Sequence, residues 1–264
     1  MGAQEENFSS WILNLRTNQM NYNNKEKINN EKKCNLNKYF LSEETKNKLL
    51  ESKIGLINAG GSCYMASIIQ ILIHSRLFLE QFYNNKKNNN NYLSEQFLNF
   101  IQNIARSVDS NNSIQIKDFA NKYNKLNNKF RGDKGNNPMT FFTDFIKKLS
   151  EETNENILKL FMGKRYIKFE GMSDLNYEEN FIFFLAVLNE NKNILCESIF
   201  EQKEFEDNKN LKLIEEIIVK PEILIINLEF DDDIEYNFEE SIIIDRIKYN
   251  LKAINRYTNC HSTA

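Results

Sequence analysis

After Cys63 the apolar residues Met65, Ile68, Ile69, Leu72 and Ile73 recur at a spacing of three to four, which commits one face of a helix to a core. The same period runs through Leu93 to Ala105, with Phe97, Phe100, Ile101 and Ile104 on one face, and through Phe141 to Leu149. Beyond Phe161 the pattern changes. The stretches Phe181 to Leu188, Ile223 to Phe230, Ser241 to Asp245 and Ile247 to Ile254 are rich in β-branched and aromatic residues, with turn signals between them, and predict strands. The front half reads as helical and the back half as sheet, an α+β layout. Residues 1 to about 48 are rich in Asn, Lys and Glu, with Trp11, Ile12 and Leu13 as an isolated apolar spot. They read as a low-complexity N-terminal extension, leaving 49–264 as the folded domain. Asn-rich patches at Asn88 to Asn91 and at Asn136 and Asn137 carry no function in this reading.

Composition narrows the partners. With 264 residues and 41% hydrophobic content, the chain is long enough for one large domain or two small ones. A net charge of -3 with acidic and basic residues interspersed leaves no electrostatic footprint for nucleic acid. No apolar run reaches membrane-spanning length, and the start, with Gln4, Glu5 and Glu6, lacks the basic and apolar regions of a signal peptide. No membrane is expected, and the cytosol or nucleus is the expected location. Cys34, Cys63, Cys196 and Cys260 are scattered with no close pair, which suits a reducing compartment and offers no zinc knuckle.

One of these cysteines stands apart. Gly60 and Gly61 allow a sharp turn directly before it, Ser62 is a residue type that caps helices, and Cys63 opens the first predicted helix. A cysteine in a first turn sits at the positive end of the helix dipole, where an anionic sulfur is favoured and reactivity rises. A buried structural cysteine is the commoner fate of such a residue taken alone. The whole stretch Gly55-Leu56-Ile57-Asn58-Ala59-Gly60-Gly61-Ser62-Cys63-Tyr64-Met65-Ala66-Ser67 resembles the cysteine box of the ubiquitin-specific proteases, Gly-Leu-x-Asn-x-Gly-Asn-Thr-Cys-Tyr-Met-Asn-Ser. It departs from that box only at Gly61, Ser62 and Ala66. The resemblance implies a papain-like cysteine protease fold, with a helical thumb over 49–160 and a β-rich fingers and palm half over 161–264. It also implies a thiol nucleophile at Cys63, ubiquitin or ubiquitinated proteins as partners, and no cofactor. Pro221 to Phe230 is similar to a palm strand of the family, and Ile157 to Gly163 resembles the segment leading into its fingers. The fingers of many members hold zinc through paired cysteines; Tyr166 to Asn180 has none. Asn137-Pro138-Met139-Thr140-Phe141-Phe142 falls where the family has Gln-Asp-Ala-x-Glu-Phe, so the acidic residues that help hold the ubiquitin tail are replaced.

A thiol nucleophile needs a base within hydrogen-bond reach, and the chain has two histidines. His74 lies on the Cys63 helix, well beyond one turn from the thiol. His261 follows Tyr249-Asn250-Leu251-Lys252-Ala253-Ile254, which resembles the strand leading to the family's catalytic histidine. The connecting loop is shorter than usual and similar to that of the cylindromatosis-type branch. The resemblance places His261 as base and Asn58 as donor to the oxyanion; Asn58 also fits a plain turn role. Family members continue through further strands that supply an Asp or Asn orienting the histidine. The sequence ends before any such strand, and an incomplete palm is expected. Asp231, Asp232, Asp233, Glu235, Glu239 and Glu240 form an acidic run suited to ubiquitin's basic tail or to a solvated loop. Two readings stay open: a deubiquitinase, and a pseudo-deubiquitinase that binds ubiquitin or a partner without cleaving it.

Overall fold

The structure, a computed structural model, describes residues 8–16, 42–52, 55–58, 60–84, 92–110, 113–130, 136–153, 156–169, 175–188, 203–205, 208–230, 238–244, 246–258 and 261–263. Strand β1 (Phe8–Arg16) comes first, then α1 (Glu43–Glu51), β2 (Leu56–Ile57), α2 (Cys63–Ile73), α3 (Arg76–Asn84) and α4 (Tyr92–Ser110). Next are β3 (Ile114–Gln115), α5 (Lys117–Leu126), α6 (Pro138–Glu152) and α7 (Asn156–Phe161). Strands follow: β4 (Gly163–Phe169), β5 (Tyr177–Phe181), β6 (Phe184–Leu188), β7 (Lys203–Phe205), β8 (Asn208–Val219), β9 (Ile223–Phe230), β10 (Ser241–Ile244), β11 (Ile247–Thr258) and β12 (His261–Thr263).

The helices close on an aromatic core. Phe97, Phe119, Phe141 and Phe145 are buried with Tyr64 and Tyr123, and their rings meet edge-on or offset, as in the pair Phe97 and Phe145 at 5.0 Å. Each such ring contributes about 1.5–3 kcal/mol by leaving water. Glu152 on α6 accepts from the backbone N–H groups of Leu93 and Ser94 at 2.9 and 2.6 Å. The first turn of α4 is thereby satisfied by a carboxylate from another helix.

Strand β9 explains how the halves join. Ile223 and Ile225 belong to the helical core, whereas Leu224, Ile226 and Leu228 belong to a second cluster with Phe181, Phe184, Ile242, Ile244 and Tyr249. Alternate residues of one strand thus serve both faces of a covered sheet. The sheet runs β10-β11-β1-β9-β6, with β12 added to β11; β6 lies parallel to β9 and the other neighbours are antiparallel. A separate antiparallel sheet runs β5-β4-β8-β7. There Arg165 on β4 spans its neighbours, donating to Glu179 on β5 at 2.5 Å and to Glu215 on β8 at 2.8 Å.

Two expectations change. The stretch Phe181 to Leu188 is not one strand: it is cut at Ile182 and Phe183, with β5 in the smaller sheet and β6 in the larger. An unbroken apolar run conceals such a break, because residues on both sides of it are buried. The N-terminal segment is more than an extension, since Phe8–Arg16 occupies the middle of the larger sheet, between β9 and β11. A short apolar spot suffices there because a central strand gains backbone bonds from two neighbours.

Gly163 pairs with Phe181 across β4 and β5, and a Cβ there would run into the Phe181 ring. Gly163→Ala is expected to destabilise the chain by about 1–3 kcal/mol through overpacking, read as a lower denaturant midpoint with unchanged slope. An unaltered midpoint would show that the ring moves aside freely.

Candidate active site

The turn before Cys63 is built from backbone that few residues adopt. Gly60 and Gly61 have φ of 56° and 62°, the left-handed region that glycine enters without the cost a Cβ brings. Asparagine is the other residue that tolerates this region, which accounts for Gly61 standing where the ubiquitin-specific proteases have Asn. Space around Gly60 is open, with nothing within 4 Å of where a Cβ would sit.

Ser62 precedes α2 but does not cap it with its side chain. Its hydroxyl donates to Asn58 Oδ1 at 2.9 Å, and its backbone N–H donates to the same oxygen at 3.2 Å. Both bonds take the carbonyl end of the Asn58 amide, so the NH₂ end is turned away from Ser62. Asn58 is exposed, whereas Cys63 at the head of α2 is buried, with 5% of its surface accessible. Helix geometry aims the Cys63 N–H along the axis, out of the N-terminal end. Asn58 and Cys63 are thus joined through Ser62 in the turn that enters α2, with the thiol largely covered.

Tyr64 anchors the start of the helix from below. Its ring meets Phe141 edge-on at 5.6 Å and stacks on Phe130 at 6.0 Å, and burial pushes its phenol up to about 12. It remains a neutral hydrogen-bonding group at physiological pH. Phe141 is fully buried on α6. The position where the family carries a tail-binding Glu is therefore part of the core here. Asn137 caps this helix, accepting from Met139 and Thr140 N–H at 2.8 and 3.3 Å, with Pro138 in its first turn.

The two histidines are placed very differently. His74 closes α2 at its C-terminal end, with Nδ1 2.7 Å from the Gln70 carbonyl and Nε2 3.0 Å from the Ser52 carbonyl. Both ring nitrogens are engaged far from the thiol. His261 begins β12, which folds back on β11 with Thr258 opposite His261, and β12 packs against α2. The strand bearing His261 and the helix begun by Cys63 are thus neighbours.

A buried polar contact at this junction is not legible in the sequence. Asn255 on β11 is fully buried and donates to Ser67 Oγ on α2 at 3.2 Å, and Ser67 Oγ in turn donates to the Tyr64 carbonyl at 3.2 Å. The sequence does not single Asn255 out, because the same strand also carries Lys248, Asn250, Lys252 and Arg256. Asp231, Asp232, Asp233 and Glu235 of the acidic run lie outside the described residues, as do Cys34, Cys196 and Cys260.

A cysteine heading a buried helix, set against a sheet whose last described strand carries a histidine, is the arrangement of the papain-like fold. A family model of ubiquitin carboxyl-terminal hydrolases matches residues 54–261, and the chain belongs to that family. Among solved structures, the SAGA deubiquitinating module Ubp8/Sgf11/Sus1/Sgf73 bound to monoubiquitin is similar at 17% identity and a TM-score of 0.56, covering 84% of this chain and 53% of that one. The same module bound to ubiquitin aldehyde is similar at 19% identity and a TM-score of 0.54, covering 79% and 50%. The chain thus spans about half the length of the chains it matches. A search of curated proteins gave no significant match. No helix among the described residues is long and apolar enough to cross a membrane.

Proposed function

We propose that this chain is a thiol-dependent deubiquitinase that hydrolyses the peptide or isopeptide bond after the C-terminal glycine of ubiquitin. The observation that carries the reading is the turn in which Asn58 Oδ1 accepts from Ser62 directly before the buried Cys63 at the head of α2. In this mechanism the imidazole of His261 takes the Cys63 proton as the sulfur attacks the glycine carbonyl. The oxygen that gains the electron pair is held by the Asn58 amide and the Cys63 N–H. The C–N bond then breaks, and His261 returns its proton to the departing lysine amine. Water, deprotonated by His261, attacks the thioester and releases the ubiquitin carboxylate and the thiol. Membership of the family supports the substrate class, as do the bound monoubiquitin and ubiquitin aldehyde of the similar Ubp8 modules.

A second reading is favoured by one observation. Phe141, in the place of a tail-binding acid, is buried and cannot grip a basic tail. A pseudo-deubiquitinase that binds ubiquitin without cleaving it would show that pattern. Turnover of ubiquitin carrying a fluorogenic group at its C-terminus separates the two. The chain is expected to release the group, Cys63→Ala to abolish release, and His261→Ala to lower it by about 10²–10⁴-fold. Saturable ubiquitin binding without release would establish the second reading instead.

A further inference from the structure

We propose that Asn255 and Ser67 form a positioning pair that locks β11, the strand that pairs with and leads into the strand bearing His261, onto the helix bearing Cys63. The inference rests on the catalytic reading above and adds what brings its two halves into register.

The argument begins with the path of β11. Tyr249 is buried in the second cluster and Leu251 packs against that cluster, whereas Ala253 packs against the helical core. The face changes because the pairing with β1 shifts, Leu13 standing opposite Ala253 and Asn14 opposite Leu251. Lys252 is the extra residue of this bulge, and it is exposed. A bulge that reverses facing re-aims every residue beyond it. Asn255 therefore points at α2, where a plain core would call for an aliphatic side chain. Ser67 lies one helical turn from Cys63 on the same face of α2, and β11 turns back into β12 shortly after Asn255, pairing Arg256, Tyr257 and Thr258 with Thr263, Ser262 and His261.

A hydrophobic contact at this point would tolerate sliding of the strand, because apolar attraction is non-directional. A buried amide bonded to a buried hydroxyl does not. A slip by one residue would bring Ile254 or Arg256 to Ser67, and would part the buried amide from the buried hydroxyl it donates to. The onward bond from Ser67 to the Tyr64 carbonyl carries the same constraint to the residue next to the nucleophile. Register specificity is a known use of buried polar pairs.

The test uses the full chain with Asn255→Leu, Ser67→Ala and the double variant, and two readouts. In ubiquitin hydrolysis each single change is expected to lower kcat by about 10- to 100-fold, the scale of a small misplacement of reacting groups, with KM within about twofold. The double variant should be no worse than the poorer single one, because both remove one contact. In amide hydrogen exchange, protection should fall over residues 256–258 and 261–263 while α4 and α6 keep theirs. Additive losses, a rise in KM with kcat unchanged, or loss of protection across the whole chain would overturn the positioning role. If the unaltered chain does not turn over ubiquitin, the functional reading fails separately. Exchange then decides the pair alone: a local loss supports the lock, and unchanged protection overturns it.

Discussion

Leu13→Pro is expected to weaken the larger sheet enough to lower the melting temperature of the chain. In that sheet β9 and β11 are joined through β1, with Leu13 opposite Ile225 on one side and Ala253 on the other. A proline inside a central strand has no N–H to give, and its ring pushes a neighbour away. The carbonyl left without its donor costs about 1–3 kcal/mol, and the displaced strand adds to that. At about 2–4 °C per kcal/mol for a chain of this size, the melting temperature should fall by roughly 5–10 °C. The effect reaches the site because β11 carries β12 and His261. Deleting residues 1–16 should do more, since it bares two strand edges at once and invites association between chains. Thermal unfolding followed by circular dichroism, with light scattering for aggregation, measures both variants. If either melts like the unaltered chain and stays monodisperse, β1 is not integral to the sheet.

The second large effect falls on catalysis. Asn58→Ala should lower kcat for ubiquitin hydrolysis by about 10²–10³-fold, the loss that follows removal of one oxyanion donor, with KM little changed. Asn58→Asp sharpens the test. An aspartate keeps an oxygen to accept from the Ser62 hydroxyl and N–H, but it has no amide to donate and sets a negative charge beside a developing oxyanion. If Asn58 serves only the turn, the aspartate variant should work nearly as well as the unaltered chain. If it donates to the oxyanion, the aspartate should be at least as impaired as the alanine. Full turnover by Asn58→Asp would remove Asn58 from the mechanism.

Periodicity and the cysteine box together made much of this legible. The helices around Phe97 and Phe141 follow the pattern that one buried face imposes on a sequence, whereas the helix beginning at Cys63 and the strand at Ile223 stand out as apolar runs covered on more than one face. The box located the turn, and the glycine conformations show why its departure at Gly61 is harmless. Three features lay beyond sequence pattern. The strand at Phe8–Arg16, with apolar Phe8, Trp11, Ile12, Leu13 and Leu15, is set in an Asn-, Lys- and Glu-rich stretch that hides it, and its backbone pairing with two strands far along the chain leaves no mark in a sequence. The break at Ile182 and Phe183 is masked because both flanks are buried. Asn255 and Ser67 are far apart in the chain, and only the fold brings them into contact. Ser62 teaches the converse. Its residue type suggested a helix cap, but its hydroxyl is bound instead to Asn58.

The central proposal is that Cys63 is an activated thiol that attacks the C-terminus of ubiquitin. It is tested most directly by reacting the purified chain with ubiquitin bearing a thiol-reactive electrophile at its C-terminus, and mapping the adduct by peptide mass spectrometry. We expect one covalent ubiquitin, attached at Cys63, and none on Cys63→Ala. No adduct on folded chain, or an adduct that persists in Cys63→Ala, would contradict the account.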